Sequence, residues 1–221
     1  MSRASSLLET TPDREPLISL LLYRLFKWSI VSPVLHTYFR GRIYGAENVP
    51  QKGRLLVVSN HASDFDPPLL SCCVGRPVAY MAKEELFQVP ILKQAIQAYG
   101  AYPVKRGSAD RSAMKAAIAS IQSGWATGIF LDGTRTLDGR IADPKVGAAW
   151  IAAKTQSPLL PVSLWGTHAI FRKGFAIPRP TPVTVRIGEL ILPPASSDRS
   201  ELEAITQRCA LEINTLHDLG R

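Results

Sequence analysis

The stretch Asn60–Pro68 reads NHASDFDPP and holds one His, two Asp, one Ser and two consecutive Pro. A His held by a carboxylate has a fixed tautomer and a stabilised imidazolium, so such a pair can act as a general base. His61 and Asp66 are the candidate pair. On a helix, at about 100° per residue, a spacing of five leaves two side chains roughly 140° apart. On a strand the same spacing puts them on opposite faces. Only a turn lets them meet. The sequence supplies one: the apolar run LLVVS ends at Ser59, and Pro67 and Pro68 open a helix, with Asp66 as expected N-cap. Asp64 is a rival for the orienting role. The plainer alternative is a polar loop in which His61 only makes a hydrogen bond.

Two further clusters follow apolar runs. AYPVKRG (101–107) presents Lys105 and Arg106 at the end of an expected strand. FLDGTRTLDGR (130–140) presents Asp132, Gly133, Thr134 and Arg135 at the end of another. Gly gives the backbone room to turn, Thr offers a hydroxyl, and Arg offers a planar fork suited to phosphate. Ligands in α/β sheets bind near strand ends. Lys145 and Gly147 follow at the approach to an Ala-rich helix.

The elements that must position these residues are legible as alternating runs. Strands are expected over 54–59, 77–82, 99–104, 127–131, 159–164 and, half-exposed, 182–192. Helices are expected over 109–124, 147–155 and 200–216, the last capped by Ser200 and Glu203 as a box. Strands alternating with helices predict an α/β domain over residues 41–221. Residues 172–182 form a Pro-rich basic loop.

The chain has 221 residues, 46% apolar and 20% charged, a globular balance in one domain. The net charge of +8 favours an anionic partner. No zinc-finger spacing, RNA-recognition signature or long basic run points to nucleic acid. Cys72, Cys73 and Cys209 are odd in number, and two are adjacent, which fits reduced core residues rather than a disulfide framework.

Residues 1–16 are polar, unlike a secretory signal, and are expected to form a flexible tail. Residues 17–40 are apolar and aromatic, but Arg24, Lys27 and His36 interrupt them and Pro33 would kink them. No acidic residue occurs from Leu17 to Ala46. This pattern predicts one or two helices lying in the membrane interface rather than spanning it.

Taken in order, the segments resemble the glycerolipid acyltransferases, specifically the 1-acylglycerol-3-phosphate (lysophosphatidic acid) acyltransferase family. NHASDFD matches that family's NHxSxxD block. MAKEELFQVPILKQAIQAYGAYPVKRG matches the second block, FLDGTRT the third (usually FPEGTRS), and LPVSLWG the fourth, with KVGAAWIAAKTQSPLLPV as its approach. The likeness covers residues 41 to about 192.

The resemblance implies a mixed, mainly parallel sheet flanked by helices, with an N-terminal interfacial helical element. It implies acyl transfer from a coenzyme A or acyl-carrier-protein thioester to 1-acylglycerol-3-phosphate, giving phosphatidic acid. His61, oriented by Asp66, would take the hydroxyl proton, with no Cys or Ser acyl-enzyme. Arg106 and Arg135, assisted by Lys105, would hold the acceptor phosphate. Asp132, Gly133 and Thr134 would line the acceptor pocket, and Asn60, Ser63, Lys145 and Pro161 are supporting candidates. No metal or cofactor is implied, and the partners are membrane lipid and acyl donor at the cytoplasmic face. Three positions depart from the usual pattern: Leu131 for Pro, Asp132 for Glu, and Lys105 for an Asp before the Arg. They leave glycerol-3-phosphate, another lysophospholipid or an amino-lipid open as acceptor, and ester or thioester hydrolysis as a different chemistry.

Overall fold

Leu55–Ser59 is apolar on both faces and has no exposed residue, as a strand covered on both sides requires. It is β2, at the centre of a seven-stranded sheet in the computed structural model of the chain. The structure describes residues 15–83, 87, 88, 93, 96, 101–104, 111–171 and 177–221. The strands are β1 Arg42–Tyr44, β2 Leu55–Ser59, β3 Val78–Lys83, β4 Tyr102–Val104, β5 Ala126–Phe130, β6 Leu159–Trp165 and β7 Thr184–Ile187. Their order is β1-β7-β6-β2-β5-β3-β4. Only the β6–β7 pair is antiparallel.

The period of two along β2 divides the core. Leu55 and Val57 join one apolar layer, beneath α2 (Asp66–Val74) and the N-terminal helix. Leu56 and Val58 join the other, beneath α3 (Arg111–Gln122), α4 (Gly147–Thr155) and α5 (Arg199–Asp218). The expected mixed, mainly parallel sheet with flanking helices is therefore the architecture.

Two expectations at the edges are corrected. β1 is three residues long, too short to show a period, and is held by parallel pairing with β7. That partner also explains why β7 is buried rather than half-exposed. The run expected to Leu192 stops at Ile187, and Ile191 makes only an isolated bridge to Leu159. At the start of α5, Asp198 is the N-cap residue and makes no side-chain cap bond. Glu201, not Glu203, reaches back to the backbone N–H groups of Ala195 and Ser196, while Glu203 pairs with Arg199.

The N-terminal helix, α1 (Leu17–Phe26), continues through wide turns at Lys27–Val31 and Val34–Tyr38. Pro33 does not end it, because widened turns on both sides absorb its missing N–H. The combined Leu17–Tyr38 helix holds an 18-residue window with a mean hydropathy of 1.4 and is long and apolar enough to cross a membrane. One side packs inward through Leu20, Tyr23 and Leu35, and the Tyr23 hydroxyl donates to the Ser71 carbonyl. The other exposes Leu17, Ile18, Leu21, Leu25 and Trp28.

Of the segment expected as a flexible tail, residues 1–16, all but Glu15 and Pro16 lie outside the described residues. Glu15 is buried and pairs with the buried Arg76 at 2.8 Å. Arg76 also donates to the carbonyls of Pro50 and Gly53. The helix is thus tied at its start to the amino-terminal side of the sheet, where Glu15 also accepts from Ala126 N–H.

Candidate active site

β2 and β5 are parallel neighbours in register from Leu55 with Ala126 to Ser59 with Phe130. The loops that leave them therefore emerge side by side at the carboxyl edge of the sheet. One loop carries His61 to Asp66, and the other carries Leu131 to Lys145.

The first loop closes on itself. His61 Nδ1 lies 2.8 Å from Asp66 Oδ2. The same oxygen accepts the backbone N–H groups of Ala62 and Ser63, each at 2.7 Å. Asp66 is the first residue of α2, not its N-cap; that position is Phe65. Its Oδ2 turns back to the loop, and its buried Oδ1 has no hydrogen-bond partner among the described residues. Pro67 and Pro68 have no N–H to offer at the first turn. Asp66 is fully buried, whereas the His61 side chain keeps 18% of its surface exposed. Oδ2 already accepts two backbone N–H groups, so Nδ1 is the donor of this contact, which leaves Nε2 as the unengaged ring nitrogen. Nε2 has no hydrogen-bond partner among the described residues.

The ring is held from the side as well. His61 stacks on Phe130 with centroids 4.0 Å apart and planes 13° apart, and Phe130 stacks in turn on Tyr80. Gly128 makes room for this stack, since a Cβ there would lie 2.0 Å from Tyr80 Cε1. A Gly inside a strand marks such a close approach. Burial, and next the Asp66 carboxylate, push the Tyr80 phenol well above its ordinary pKa, so it stays neutral.

The second loop is clasped to the first. Thr136 donates its backbone N–H (2.8 Å) and its hydroxyl (3.2 Å) to the His61 carbonyl. Arg135 Nη1 donates to Asp64 Oδ2 at 2.6 Å. Asp64 is thus the partner of Arg135, and Asp66 alone orients His61. Gly133, in the left-handed region at φ 66°, and Thr134 are exposed at the loop's tip.

Other expected site residues serve the loops. Asp132 is buried and accepts the N–H groups of Ala142 (3.1 Å) and Asp143 (3.0 Å). The returning chain thus takes up one oxygen of the expected acceptor-pocket residue. Lys145 pairs with Asp143, and its backbone N–H donates to Leu131 O. Ser63 Oγ accepts from Phe65 N–H. Pro161 is buried within β6, where its carbonyl accepts from Gly188 N–H. Lys105 and Arg106 lie outside the described residues; β4, which leads towards them, ends at Val104.

Asn60 is a structural clamp. Its amide donates to the carbonyls of Gly139 (2.6 Å) and Leu164 (2.9 Å), and its oxygen accepts from Leu164 N–H (2.8 Å). Asn60→Ala leaves these buried groups unpaired, at about 1–3 kcal/mol for an orphaned group, and should lower Tm by roughly 5–15 °C in a thermal melt.

Buried His217, at the end of α5, supports the same loop. Ser163 Oγ lies 3.4 Å from its Nδ1, and Gly139 packs against its ring. Burial holds the His217 pKa below its ordinary value; Arg140 and His168 add to this, while the Asp138 backbone and Asp218 oppose it. Below a pH of about 6.5 the unfolded chain takes up this proton more readily than the folded one. The stabilising contribution is therefore complete above that pH and lost as pH falls through the lowered folded value. Thermal melts of His217→Gln between pH 7.5 and 5 should show a shallower fall in Tm than the wild type.

Phe130, Tyr80 and Thr136 were not singled out by sequence; of their signals, only Gly128 inside an apolar run could have pointed to the stack.

The chain is similar to several curated proteins. It is 33% identical over 151 residues to the chloroplastic 1-acyl-sn-glycerol-3-phosphate acyltransferase BAT2 of Brassica napus, covering 66% of this chain and 43% of that one. It is 30% identical over 152 residues to the 1-acyl-sn-glycerol-3-phosphate acyltransferase of Borreliella burgdorferi, covering 67% and 60%. The Bacillus subtilis enzyme of the same name is 31% identical over 139 residues, covering 60% and 68%. The chain therefore spans about half the length of the first two relatives. The crystal structure of the 1-acyl-sn-glycerophosphate acyltransferase PlsC from Thermotoga maritima superposes with a TM-score of 0.66 at 25% identity, over 90% of this chain and 95% of that one. The family model described as Acyltransferase matches residues 40–165, more than half of the sequence, and the chain belongs to that family.

Proposed function

We propose that this chain transfers an acyl group from an acyl thioester to the free hydroxyl of 1-acylglycerol-3-phosphate, giving phosphatidic acid. The observation that carries this reading is the closed His61–Asp66 turn, with Nδ1 held and Nε2 left to accept a proton. In the reaction, Nε2 takes the hydroxyl proton as the oxygen attacks the thioester carbonyl. The C–O bond forms, the C–S bond breaks, and the leaving thiolate recovers the proton from the imidazolium. Asp66 stabilises that imidazolium. Arg135 supplies a fork for the acceptor phosphate, and Arg106 and Lys105 are the further cations assigned to it. The donor is a coenzyme A or acyl-carrier-protein thioester.

The exposed apolar side of the Leu17–Tyr38 helix, with Arg24 and Lys27 and no acidic residue, suits insertion into a leaflet of anionic lipid at its cytoplasmic face. The lipid acceptor would then reach the site from the membrane. The relatives named above act on the same acceptor by name, which supports this choice over glycerol-3-phosphate.

The test is a panel. Lysophosphatidate, glycerol-3-phosphate and lysophosphatidylcholine are offered with both donor types, and products are identified by mass. Selective acylation of lysophosphatidate is expected. Preference for another acceptor would overturn the assignment.

A further inference from the structure

We propose that Asp64 sets the acceptor affinity of this site: its carboxylate holds the Arg135 guanidinium that a phosphate monoester needs, so binding requires the pair to open. This rests on the phosphate role given to Arg135 above. Asp64 sits between the catalytic His and its orienting Asp, three residues after His61 and two before Asp66. The pair bridges the two loops at 2.6 Å.

Three observations make the pair a competitor rather than a fixed brace. First, the loops do not depend on it, because Thr136 already joins them through two bonds to the His61 carbonyl. Those bonds keep both backbones in place, so the carboxylate stays within reach of the guanidinium. Second, both partners are solvent-accessible, Arg135 at 46% and Asp64 at 66%, so the pair can open without unpacking the core. The orienting carboxylate Asp66, by contrast, is wholly buried. Third, carboxylate and phosphate compete for the same planar donors of a guanidinium. The other cations described on this loop, Arg140 and Lys145, pair with Asp218 and Asp143, so only Arg135 is held by the catalytic turn.

The size of the effect follows from populations. An exposed ion pair favours its closed form by a factor of about two to five. Apparent affinity falls in proportion to the open fraction, so the pair weakens phosphate binding by about three- to sixfold. Once displaced, Asp64 also remains as a negative charge beside the bound phosphate.

The test measures equilibrium binding of glycerol 3-phosphate to the full chain in detergent micelles. It uses wild type, Asp64→Ala, Arg135→Gln and the double variant. Asp64→Ala should bind about three- to sixfold more tightly than wild type, and this gain should vanish in the Arg135→Gln background. In turnover assays the KM for the phosphorylated acceptor should fall by the same factor with kcat nearly unchanged and the KM for the donor unmoved. Equal or weaker binding by Asp64→Ala, no binding to any of the proteins, or an equal gain without Arg135 would overturn the proposal. So would a fall confined to the donor's KM. Tighter glycerol 3-phosphate binding by Asp64→Ala, with no acylation of 1-acylglycerol-3-phosphate by the wild type, would instead uphold the role of the pair and refute the proposed reaction.

Discussion

His61→Ala should lower kcat by about 10²–10⁴-fold, the usual contribution of a positioned general base. It should do so without unfolding the chain. Asp66 Oδ2 still accepts the N–H groups of Ala62 and Ser63 after the imidazole is gone, so the turn keeps its shape. The ring is partly exposed and leaves no sealed cavity. Its stack on Phe130 is the main packing lost. A change in Tm below about 4 °C is therefore expected, since roughly 1 kcal/mol moves a domain of this size by 2–4 °C. Steady-state acyl transfer and a thermal melt on the same preparation check both halves. Wild-type turnover by the folded variant would remove His61 from the chemistry.

Replacing Asp66 should damage activity and stability together, and its two variants should separate those roles. Asp66→Ala removes the acceptor of two backbone N–H groups beside a fully buried site. At about 1–3 kcal/mol for each group left without a partner, Tm should drop by roughly 5–15 °C. The imidazole also loses its orientation, so kcat should fall about 10²-fold or more. Asp66→Asn is different, because all three hydrogen bonds converge on one oxygen. An Asn carbonyl in that place keeps the three bonds and removes the charge, but its NH2 replaces the buried Oδ1, which has no partner among the described residues. Charge-assisted hydrogen bonds are roughly twice as strong as neutral ones. Asp66→Asn should therefore lose less Tm than Asp66→Ala, through the unpaired NH2 alone, and about tenfold in kcat. Equal kcat in Asp66→Asn and wild type would mean that the charge plays no part in the reaction.

The His61–Asp66 contact was legible in part from spacing, with a plain polar loop and Asp64 left open, and more firmly from the family resemblance. Neither helix nor strand allows a spacing of five to meet, and the run into Ser59 followed by two Pro residues left a turn as the solution. The α4 helix, Gly147–Thr155, and the β2 strand were equally plain, because their runs are uniform and bounded. What the sequence hid depends on partners brought from far along the chain. Phe130 reaches His61, and Tyr80 reaches Phe130, only because β5 lies between β2 and β3 in the sheet. Asp132 reads as an exposed ligand after a strand, yet residues 142–143 return to cover it. Glu203 fits the spacing of a capping box, but the bend at Ala195–Ser196 makes Glu201 the residue in reach. Asp64 looked like a rival for His61, and only the second loop shows that its partner is Arg135.

In the proposed reaction the acyl group passes to a lipid hydroxyl and not to water. Thiol release from an acyl-coenzyme A or acyl-carrier-protein donor, followed alongside product mass with and without 1-acylglycerol-3-phosphate, tests it most directly. The expected result is thiol release that depends on the acceptor and matches the phosphatidic acid formed, mole for mole. Thiol release at the same rate without acceptor, accompanied by free fatty acid, would contradict it.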